Sequence, residues 1–379
     1  MSTKIPLSSL GRSGHSSHCR MCLLGLPFSQ VEVDSSRIAV VFYCLGTLDL
    51  LGVVESKTSE IERETWRAWL WEQQTSSKYG TGFQPSPYMT TSAASTDHTE
   101  YDVPHLIMTY TAILSLAILR DDFKQLDRSG IVRFLQACQQ EDGSFSALPN
   151  GGESDLRMMY CAFVISSMLN DWSGVDIDRA VAYIQRCSSY EGGYGQTPFG
   201  EALGMSALMF RNFIHYQSLG GTTYCAIASL HLVPDTPSSP ISERISPIQR
   251  ARTIRWLAQN QTSSGGFCGR TAKDADACYC FWCGASLSIL GEGGLVDEDA
   301  LAAFLLRCQF KFGGIAKAPG ERPDPYHTYL SLAVLATLPP HTDDTSWKLP
   351  CLDTLWNATQ DTTNWIKSHI SDHNDLGSE

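Results

Sequence analysis

The sequence feature that decides the fold is the stretch GGFCGRTAKDADACYCFW, residues 265–282. A glycine pair opens it, and an apolar run from Phe281 to Leu290 follows, which predicts a loop that turns into a helix. Two cations, two carboxylates and two thiols lie between Arg270 and Cys280. The stretch therefore places ionisable groups at a corner between a loop and a helix.

Three residues of this region and beyond it have the side chains of a metal site. Asp276, Cys278 and the distant His327 offer the oxygen, sulfur and nitrogen ligands that zinc accepts. Three protein ligands leave one tetrahedral position open, which is typical of a catalytic zinc site. A plainer interpretation is that Cys278 belongs to the core and Asp276 caps the helix. The stretch alone leaves both interpretations open.

Two basic residues precede these candidates. Arg270 and Lys273 lie three residues apart, about one helical turn, so a helical or turn backbone would let both face one anion. The alternative is that both side chains are solvated.

A glycine turn followed by a helix with a tyrosine near its start recurs along the chain. The turns are residues 143–145, 192–194, 265–267 and 313–315, and the tyrosines are Tyr160, Tyr224, Tyr279 and Tyr329. Units of roughly 50 residues without strand-like alternation predict stacked helical hairpins, which bury their common face only against neighbours. We therefore predict an all-α fold, an α/α barrel of repeated helical hairpins whose glycine turns gather at one end.

The second unit departs from this period. From its glycine turn to its tyrosine it has roughly 16 more residues than the other units. The extra residues coincide with the largely apolar segment 204–219.

Composition limits the class of protein. At 379 residues, 43% hydrophobic and 18% charged, the chain can bury a large core and is typical of globular proteins. A net charge of −12 argues against nucleic-acid binding. Thirteen cysteines spread through helical segments are expected to be reduced and mostly buried. We expect a cytoplasmic protein with no transmembrane segment.

The N-terminal region contains His15, His18, Cys19 and Cys22, which have the residue types of a zinc knuckle. Their Ser/Gly-rich surroundings and the lack of a second ligand pair favour a loose tail instead. The domain prediction is a flexible tail over residues 1–17 and a barrel over 18–345, with an atypical insertion at about 203–219. A C-terminal helix and polar tail are predicted over 346–379.

Three motifs, in this order along the chain, resemble the β subunits of protein prenyltransferases. They are Asp155-x-Arg157-x-x-Tyr160-Cys161-Ala162, Arg270-x-x-Lys273-x-x-Asp276-x-Cys278-Tyr279 and Asp324-x-x-His327-Thr328-Tyr329. The resemblance covers roughly residues 18 to 340, and motifs at this spacing are highly specific. It implies that Asp276, Cys278 and His327 are the zinc ligands of a transferase.

Within that family the chain is similar to the geranylgeranyltransferase type I subgroup. That enzyme attaches a 20-carbon group from geranylgeranyl diphosphate to the cysteine of a C-terminal CaaX sequence, in which X is usually leucine. Residues 105–111 and 169–172 carry the likeness, and Ala39 stands in the region where farnesyltransferase has a bulky tryptophan. A farnesyltransferase or Rab-type β subunit, or an inactive helical scaffold, are the alternatives.

The resemblance also implies roles for individual side chains. Catalysis falls to Asp276, Cys278, His327 and Tyr279; diphosphate and isoprenoid binding to Arg270, Lys273, Tyr279, Lys317, Ala39, Tyr43 and Trp282; peptide binding to His105, Glu153, Arg157 and Tyr326. Tyr110 and Tyr160 are further candidates for an aromatic channel wall. Lys317 stands where farnesyltransferase has a magnesium-binding aspartate, so Mg²⁺ is expected to be dispensable.

One family element is missing. A histidine that donates to the diphosphate normally precedes a glycine pair, but here Leu219 precedes Gly220 and Gly221. Either the segment before them is translated intron sequence, or it is a real loop and His215 takes over this role. The family also implies a heterodimer with the α subunit that farnesyltransferase shares, and Rho-type small GTPases as CaaX substrates.

Overall fold

The computed structural model describes residues 7–26, 33, 35–85, 103–149, 151–199, 219–235, 240–270 and 273–370. In these ranges the helices are α1 Arg12–Leu24, α2 Arg37–Leu50, α3 Val54–Lys57, α4 Glu60–Trp71, α5 Leu106–Ile118, α6 Arg128–Cys138, α7 Leu156–Leu169, α8 Ile177–Arg186, α9 Leu219–Leu232, α10 Ile241–Arg244, α11 Pro247–Gln259, α12 Ala277–Ile289, α13 Glu298–Cys308, α14 Pro325–Thr337 and α15 Gln360–Ile370. The short strands are β1 Gln74–Ser77, β2 Gly80–Phe83, β3 Ser146–Leu148, β4 Gly151–Ser154, β5 Ile315–Ala316, β6 Pro323–Asp324, β7 Leu352–Asp353 and β8 Ala358–Thr359. The predicted all-α class is confirmed.

Six helices form a closed inner ring. Each of α2, α5, α7, α9, α12 and α14 contacts the next, and α14 returns to α2. These helices are apolar on nearly every face because both their sides are buried, whereas α4, α6 and α8 place charged residues on one face. The predicted α/α barrel of helical hairpins is therefore the observed architecture.

The strands pair only as two-residue to four-residue antiparallel hairpins, β1 with β2, β3 with β4, β5 with β6, and β7 with β8. The β3–β4 and β5–β6 hairpins lie immediately before α7 and α14, and the carbonyl of Phe83 at the end of β2 accepts from the amide of His105, which precedes α5. The glycine-rich sequence predicts turns here rather than strands, since strands this short leave no alternating pattern.

Glycines in these turns pack directly against the next outer helix. Gly313 has φ +106°, and a Cβ there would lie 2.0 Å from the carbonyl oxygen of Gly14 in α1. Gly265 has φ +91°, and its Cβ would lie 2.0 Å from the carbonyl oxygen of Ala300 in α13. Only glycine permits both the left-handed backbone and the close approach. The repeated turns therefore fix the spacing between neighbouring hairpins.

The helices predicted from apolar runs lie close to their expected positions. The runs 38–51, 60–74 and 105–119 correspond to α2, α4 and α5. The helix α4 has a complete capping box between Ser59 and Glu62. By contrast Ser36, which precedes α2, makes no side-chain capping hydrogen bond among the described residues.

The flexible tail predicted over residues 1–17 is wrong from Arg12 onward, where α1 begins. His15 is 1% exposed; its Nδ1 accepts from the Gly314 amide at 3.0 Å and its Nε2 lies 2.7 Å from Gln309 Oε1. This helix is the outer partner of α2 and also contacts α14. The predicted insertion at 203–219, including His215, lies outside the described residues up to Leu219, where α9 begins.

The C-terminal segment packs inside the ring and contacts the last turns of two inner helices. Asp49, near the end of α2, accepts hydrogen bonds from the hydroxyls of Thr359 and Thr362 at 2.6 and 2.8 Å. The Trp356 indole donates to Ser167 near the end of α7. The predicted C-terminal helix corresponds to α15, which packs on α5 and α7.

Candidate metal centre and lumen

The first side of the candidate site is the start of α12. Asp276 precedes the helix in extended backbone, and its Oδ1 accepts from the amide of Cys278 at 2.9 Å. This is an ordinary N-cap, which satisfies an amide that has no partner inside the helix. The adjoining amide of Ala277 donates to the carbonyl of Lys317 at 2.9 Å. The loop before α14 is thereby tied to the start of α12.

The second side is the start of α14. Asp324 caps this helix by accepting from the His327 amide at 2.9 Å, and its other oxygen lies 2.6 Å from His327 Nδ1. Because Nδ1 is held by this carboxylate, His327 presents Nε2 to the neighbouring helix. That nitrogen lies 3.5 Å from Asp276 Oδ1.

These residues form a cluster with the donor set of a metal site. One ligand atom each from Asp276, Cys278 and His327 lie within 4.8 Å of one another. Oxygen, sulfur and nitrogen donors at this separation fit a tetrahedral metal ion with one open position. Asp276 caps the helix and Cys278 is buried, as the plainer interpretation predicts. Both residues also belong to the candidate metal cluster, so the two interpretations are compatible.

Charge and burial compete inside the cluster. Burial lowers the pKa of His327, but the hydrogen bonds and charges of Asp276 and Asp324 raise it to about 9. Burial raises the pKa of Asp276, and the hydrogen bond and charge of His327 outweigh this and hold it below its ordinary value. Burial and the Asp276 charge raise the pKa of the Cys278 thiol well above its ordinary value. A bound cation would favour the deprotonated ligands.

The three candidate cations, Arg270, Lys273 and Lys317, are all at least partly exposed to solvent. Lys317 is half exposed, and its Nζ lies 3.9 Å from Asp276 Oδ2. Lys273 is exposed, and its amide donates to the Arg270 carbonyl at 3.3 Å. Arg270 is half-buried and its charge partly offsets the effect of burial, which raises the pKa of Tyr279. Lys317 therefore lies beside the metal cluster, and Arg270 and Lys273 lie in the loop that precedes α12.

An aromatic belt surrounds the lumen of the inner ring. We define the belt as Phe42, Tyr43, Tyr110, Tyr160, Tyr224, Trp282 and Tyr326, which lie on the six inner helices. Successive ring centroids are 4.9 to 6.1 Å apart from Tyr43 through Phe42, Tyr110, Tyr160 and Tyr224 to Trp282. The Trp282 indole donates to the Tyr326 hydroxyl at 3.1 Å, and Tyr326 packs on Tyr43 at 5.2 Å. The belt is therefore closed.

Two other residues that are predicted to bind the isoprenoid diphosphate, Ala39 and Tyr279, lie on the same inner helices as the belt. Ala39 is buried in α2, three residues before Phe42. Tyr279 packs tightly against Gly269, where a Cβ would lie 1.9 Å from its ring. Its ring also lies beside Gly220, at the start of α9.

The predicted peptide-binding residues divide into two groups. Arg157 pairs with both Glu153 and Asp155 at the start of α7. His105 caps α5 through Nδ1, and burial together with the Arg157 charge lowers its pKa to about 4. Tyr326 lies instead beside the metal cluster, where its hydroxyl interacts with the Cys278 thiol. His105 and Arg157 thus lie near each other, at the starts of α5 and α7.

Sequence reasoning missed two features and misaligned a third. Asp324 was quoted as part of a motif but given no role, although an aspartate three residues before a histidine at a helix start is a capping signal. The hydroxyl contacts of the C-terminal segment have no local signal at all. The repeat tyrosine was misaligned in α12: Tyr160 and Tyr329 lie five residues after their caps, and the equivalent of both is Phe281 rather than Tyr279.

Comparisons with known proteins agree with this architecture. Residues 10–358 match the family model described as the prenyltransferase alpha-alpha toroid domain. The chain is 33% identical over 345 residues to the geranylgeranyl transferase type-1 subunit beta of Arabidopsis thaliana, covering 88% of this chain and 86% of that protein. It is 42% identical over 239 residues to the subunit of the same name from Dictyostelium discoideum, covering 62% and 61%.

A solved structure also has this architecture. The structure described as Candida albicans protein geranylgeranyltransferase-I complexed with GGPP matches with a TM-score of 0.79 and 25% identity, covering 96% of this chain and 100% of that chain. The closed ring of helical hairpins defines the class of α/α toroids. The chain belongs to the prenyltransferase alpha-alpha toroid family. Among the helices of the described ranges, none is long and apolar enough to cross a membrane.

Proposed function

We propose that this chain is the catalytic β subunit of a protein geranylgeranyltransferase type I. It would transfer the 20-carbon group of geranylgeranyl diphosphate to the cysteine of a C-terminal CaaX sequence. The observation that carries the proposal is the cluster of Asp276, Cys278 and His327 beside a closed aromatic belt. The relatives named type-1 β subunits support the choice within the family.

The metal in this proposal is zinc, because a mixed carboxylate, thiolate and imidazole set suits it. When bound, zinc supplies the charge that keeps the substrate thiol deprotonated at neutral pH. Asp324 orients His327 by holding its Nδ1, so that Nε2 faces the other two ligands. Cys278 and Asp276 are held by the first turn of α12.

The reaction forms a thioether bond from the peptide sulfur to C1 of the isoprenoid and breaks the bond from C1 to the diphosphate oxygen. The leaving diphosphate takes the electron pair, so positioned cations lower the barrier. In this proposal Arg270, Lys273 and Lys317 supply those cations. With Lys317 present, we propose that Mg²⁺ is not required.

The belt would hold the isoprenoid, since aromatic rings bury large apolar groups. His105 is neutral at physiological pH and its Nδ1 is committed to the α5 cap, so its other nitrogen carries the proton and can donate to a peptide. Arg157, which is paired with Glu153, lies near His105. We further propose a helical-repeat α subunit as partner, Rho-type GTPases as substrates, and a cytoplasmic location.

The test is transfer to a Cys-aliphatic-aliphatic-Leu peptide by this chain co-expressed with an α subunit. The 15- and 20-carbon diphosphates compete in the same assay, with and without residues 204–219. A preference for the 20-carbon donor, with about one zinc per heterodimer, would support the proposal. The variant Cys278→Ala should lose both zinc and transfer, whereas Cys283→Ala, a buried thiol of the same helix, should keep both. Absence of zinc and transfer in both forms of the chain would contradict the proposal.

A further inference from the structure

Three cysteine side chains meet where the outer helix α1 packs on the inner helix α2. Cys19 and Cys22 lie three residues apart in α1, so both are on the face that one neighbouring helix covers. The Cys44 thiol of α2 interacts with the thiols of both. Cys19 and Cys44 are 0% exposed. These three side chains, which we call the thiol cluster, therefore lie in the contact between the two helices.

Cys22 is the member of the thiol cluster that a small solute can reach. Of the thirteen cysteines of the chain, eleven are buried, Cys22 is partly exposed and Cys351 is exposed. The sulfur of Cys351 contacts the carbonyl of Leu352, in β7. Within the described part of the chain, Cys22 is therefore the cysteine that combines access from solvent with a neighbouring thiol.

The surroundings of the two neighbouring thiols give them different reactivity. A hydrogen bond from the Cys44 thiol lowers the pKa of Cys22 below its ordinary value, although burial and the Asp324 charge act against it. Burial raises the pKa of Cys44 well above its ordinary value, and the hydrogen bonds with Cys19 and Cys22 add to this effect. Because the thiolate is the nucleophilic form of cysteine, Cys22 is the thiol that attacks and Cys44 is the thiol that keeps its proton.

The spacing of the thiol cluster suits a disulfide rather than a metal ion. Among the described residues, the ligand atoms that lie within 4.8 Å of one another are those of Asp276, Cys278 and His327, and the three thiols do not meet this distance as a set. A disulfide requires only two sulfur atoms that can approach each other. Cys22 and Cys44, which share a hydrogen bond between neighbouring helices, satisfy this requirement.

We propose that Cys22 and Cys44 form a reversible oxidation site for hydrogen peroxide, in which a disulfide joins α1 to α2. The Cys22 thiolate attacks one peroxide oxygen, so that an S–O bond forms and the O–O bond breaks. The sulfur is oxidised to sulfenic acid, the peroxide is reduced, and the departing hydroxide takes a proton from solvent. The Cys44 sulfur then attacks the Cys22 sulfur, and hydroxide leaves with the Cys44 proton as water.

The disulfide would act on the helix that supports one side of the metal cluster. His15, in the same helix as Cys22, accepts from the Gly314 amide at the turn before the β5–β6 hairpin. That hairpin ends at Asp324, which holds His327 Nδ1. Oxidation at Cys22 therefore fixes α1 against the ring close to the residues that orient a metal ligand. The inference does not depend on the proposed function, because it needs neither an isoprenoid nor a peptide.

The test treats the purified full chain, with zinc in the buffer, with hydrogen peroxide and maps its disulfides after free thiols are blocked. Trypsin cleaves after lysine and arginine, so Cys19, Cys22 and Cys44 fall on the separate peptides 13–20, 21–37 and 38–57. We expect peptides 21–37 and 38–57 to become joined by a disulfide. A thiol reductant should separate them again and restore both free thiols.

Variants of the two cysteines separate their roles. Cys22→Ser should lose the joined peptides. Cys44→Ala should leave Cys22 as sulfenic acid, which a 1,3-diketone reagent traps. The matched control is Cys351→Ser, which removes the exposed thiol and should form the joined peptides as the parent does. If Cys44→Ala does not fold, Cys44→Ser is used in its place.

Mapping of the parent chain alone can overturn the inference. Peptides 21–37 and 38–57 that stay separate while Cys351 is oxidised by the same peroxide would show that the pair does not react. A disulfide from Cys19 in place of Cys22 would contradict the assignment of Cys22 as the attacking thiol. Neither result bears on the proposed function, which the transfer assay tests separately.

Discussion

The helices α7 and α12 begin with the same kind of capping residue, but the two capping carboxylates have different partners. Each is preceded by a buried aspartate, Asp155 or Asp276, which caps the amide two residues later at 2.7 or 2.9 Å. At α7 the remaining capacity of the carboxylate is used by the Arg157 guanidinium and by the Gln196 amide at 2.6 Å. The carboxylate of Asp155 is consequently saturated.

At α12 the carboxylate of Asp276 has weaker neighbours. His327 Nε2 is 3.5 Å away and Lys317 Nζ is 3.9 Å away, so the hydrogen bond from His327 is long and weak and Lys317 makes only a loose ion pair. Cys278 adds a sulfur beside them. A capping aspartate can therefore serve as a metal ligand where its neighbours leave lone pairs available and bring other donors within reach.

The largest expected effect comes from substituting each of the two aspartates by asparagine, which still caps a helix. Asp276→Asn should abolish zinc binding and lower transfer by about 1000-fold or more, since a metal ion contributes several kcal/mol to transition-state stabilisation. Asp155→Asn should instead lower the free energy of unfolding by about 1 to 3 kcal/mol, because Arg157 loses a charged partner. Zinc content, transfer rate and urea unfolding are measured for both.

The predicted difference between the two aspartates would be wrong if Asp155→Asn lost zinc while remaining folded, or if Asp276→Asn kept zinc. Either result would mean that the two caps are chemically alike and that proximity to Cys278 and His327 does not define the site.

The same contrast separates two histidines. His327 lies between two carboxylates, whereas His15 has the neutral partners Gln309 and Gly314 and a second imidazole, His18, as its titratable neighbour. Burial lowers the pKa of His15 to about 4. A histidine whose folded pKa lies below its unfolded value stabilises the fold above about pH 6.5, and this contribution is lost as the pH falls toward 4. The loss is on the order of 3 kcal/mol.

The measurement is urea unfolding between pH 7 and pH 4.5. His15→Gln should reduce the dependence of stability on pH, and His341→Gln, an exposed histidine, should not. His105, which also has a pKa lowered to about 4, contributes equally in each protein. An unchanged slope for His15→Gln would contradict the buried neutral state of His15.

Features with a local signal could be predicted from the sequence. Glycine turns and apolar helices follow from short-range geometry, so the barrel could be predicted from the residues, whereas the ligand set was implied by the resemblance to the prenyltransferase β subunits. The helix α1 was not predicted, because Ser- and Gly-rich residues have low helix propensity and tertiary contacts such as His15 with Gly314 stabilise it. The carbonyls of residues Thr354–Asn357 accept hydrogen bonds from tyrosines 28 to 246 positions away, which no local pattern indicates.

A smaller effect is expected at the carboxylate that orients the metal ligand. Asp324→Asn keeps the α14 cap but weakens the hold on His327 Nδ1, and zinc affinity should fall about 10- to 100-fold. The matched control is Asp297→Asn, which alters the cap of the outer helix α13. Competition with a chelator gives the affinity. Equal affinities for both variants would show that Asp324 acts only as a cap.

The smallest effect comes from making α12 resemble α7. Lys317→Arg keeps the charge near the diphosphate but offers Asp276 a guanidinium, which binds carboxylates through two parallel hydrogen bonds as Arg157 does at Asp155. Zinc affinity should fall about threefold to tenfold, because the metal now competes for the same oxygens. The control Lys317→Gln removes the charge without adding a guanidinium that could bind both carboxylate oxygens. It should therefore lower the transfer rate and leave zinc affinity unchanged. If zinc affinity falls in Lys317→Gln but not in Lys317→Arg, the interpretation is wrong. The charge of Lys317, rather than the available lone pairs of Asp276, would then distinguish α12 from α7.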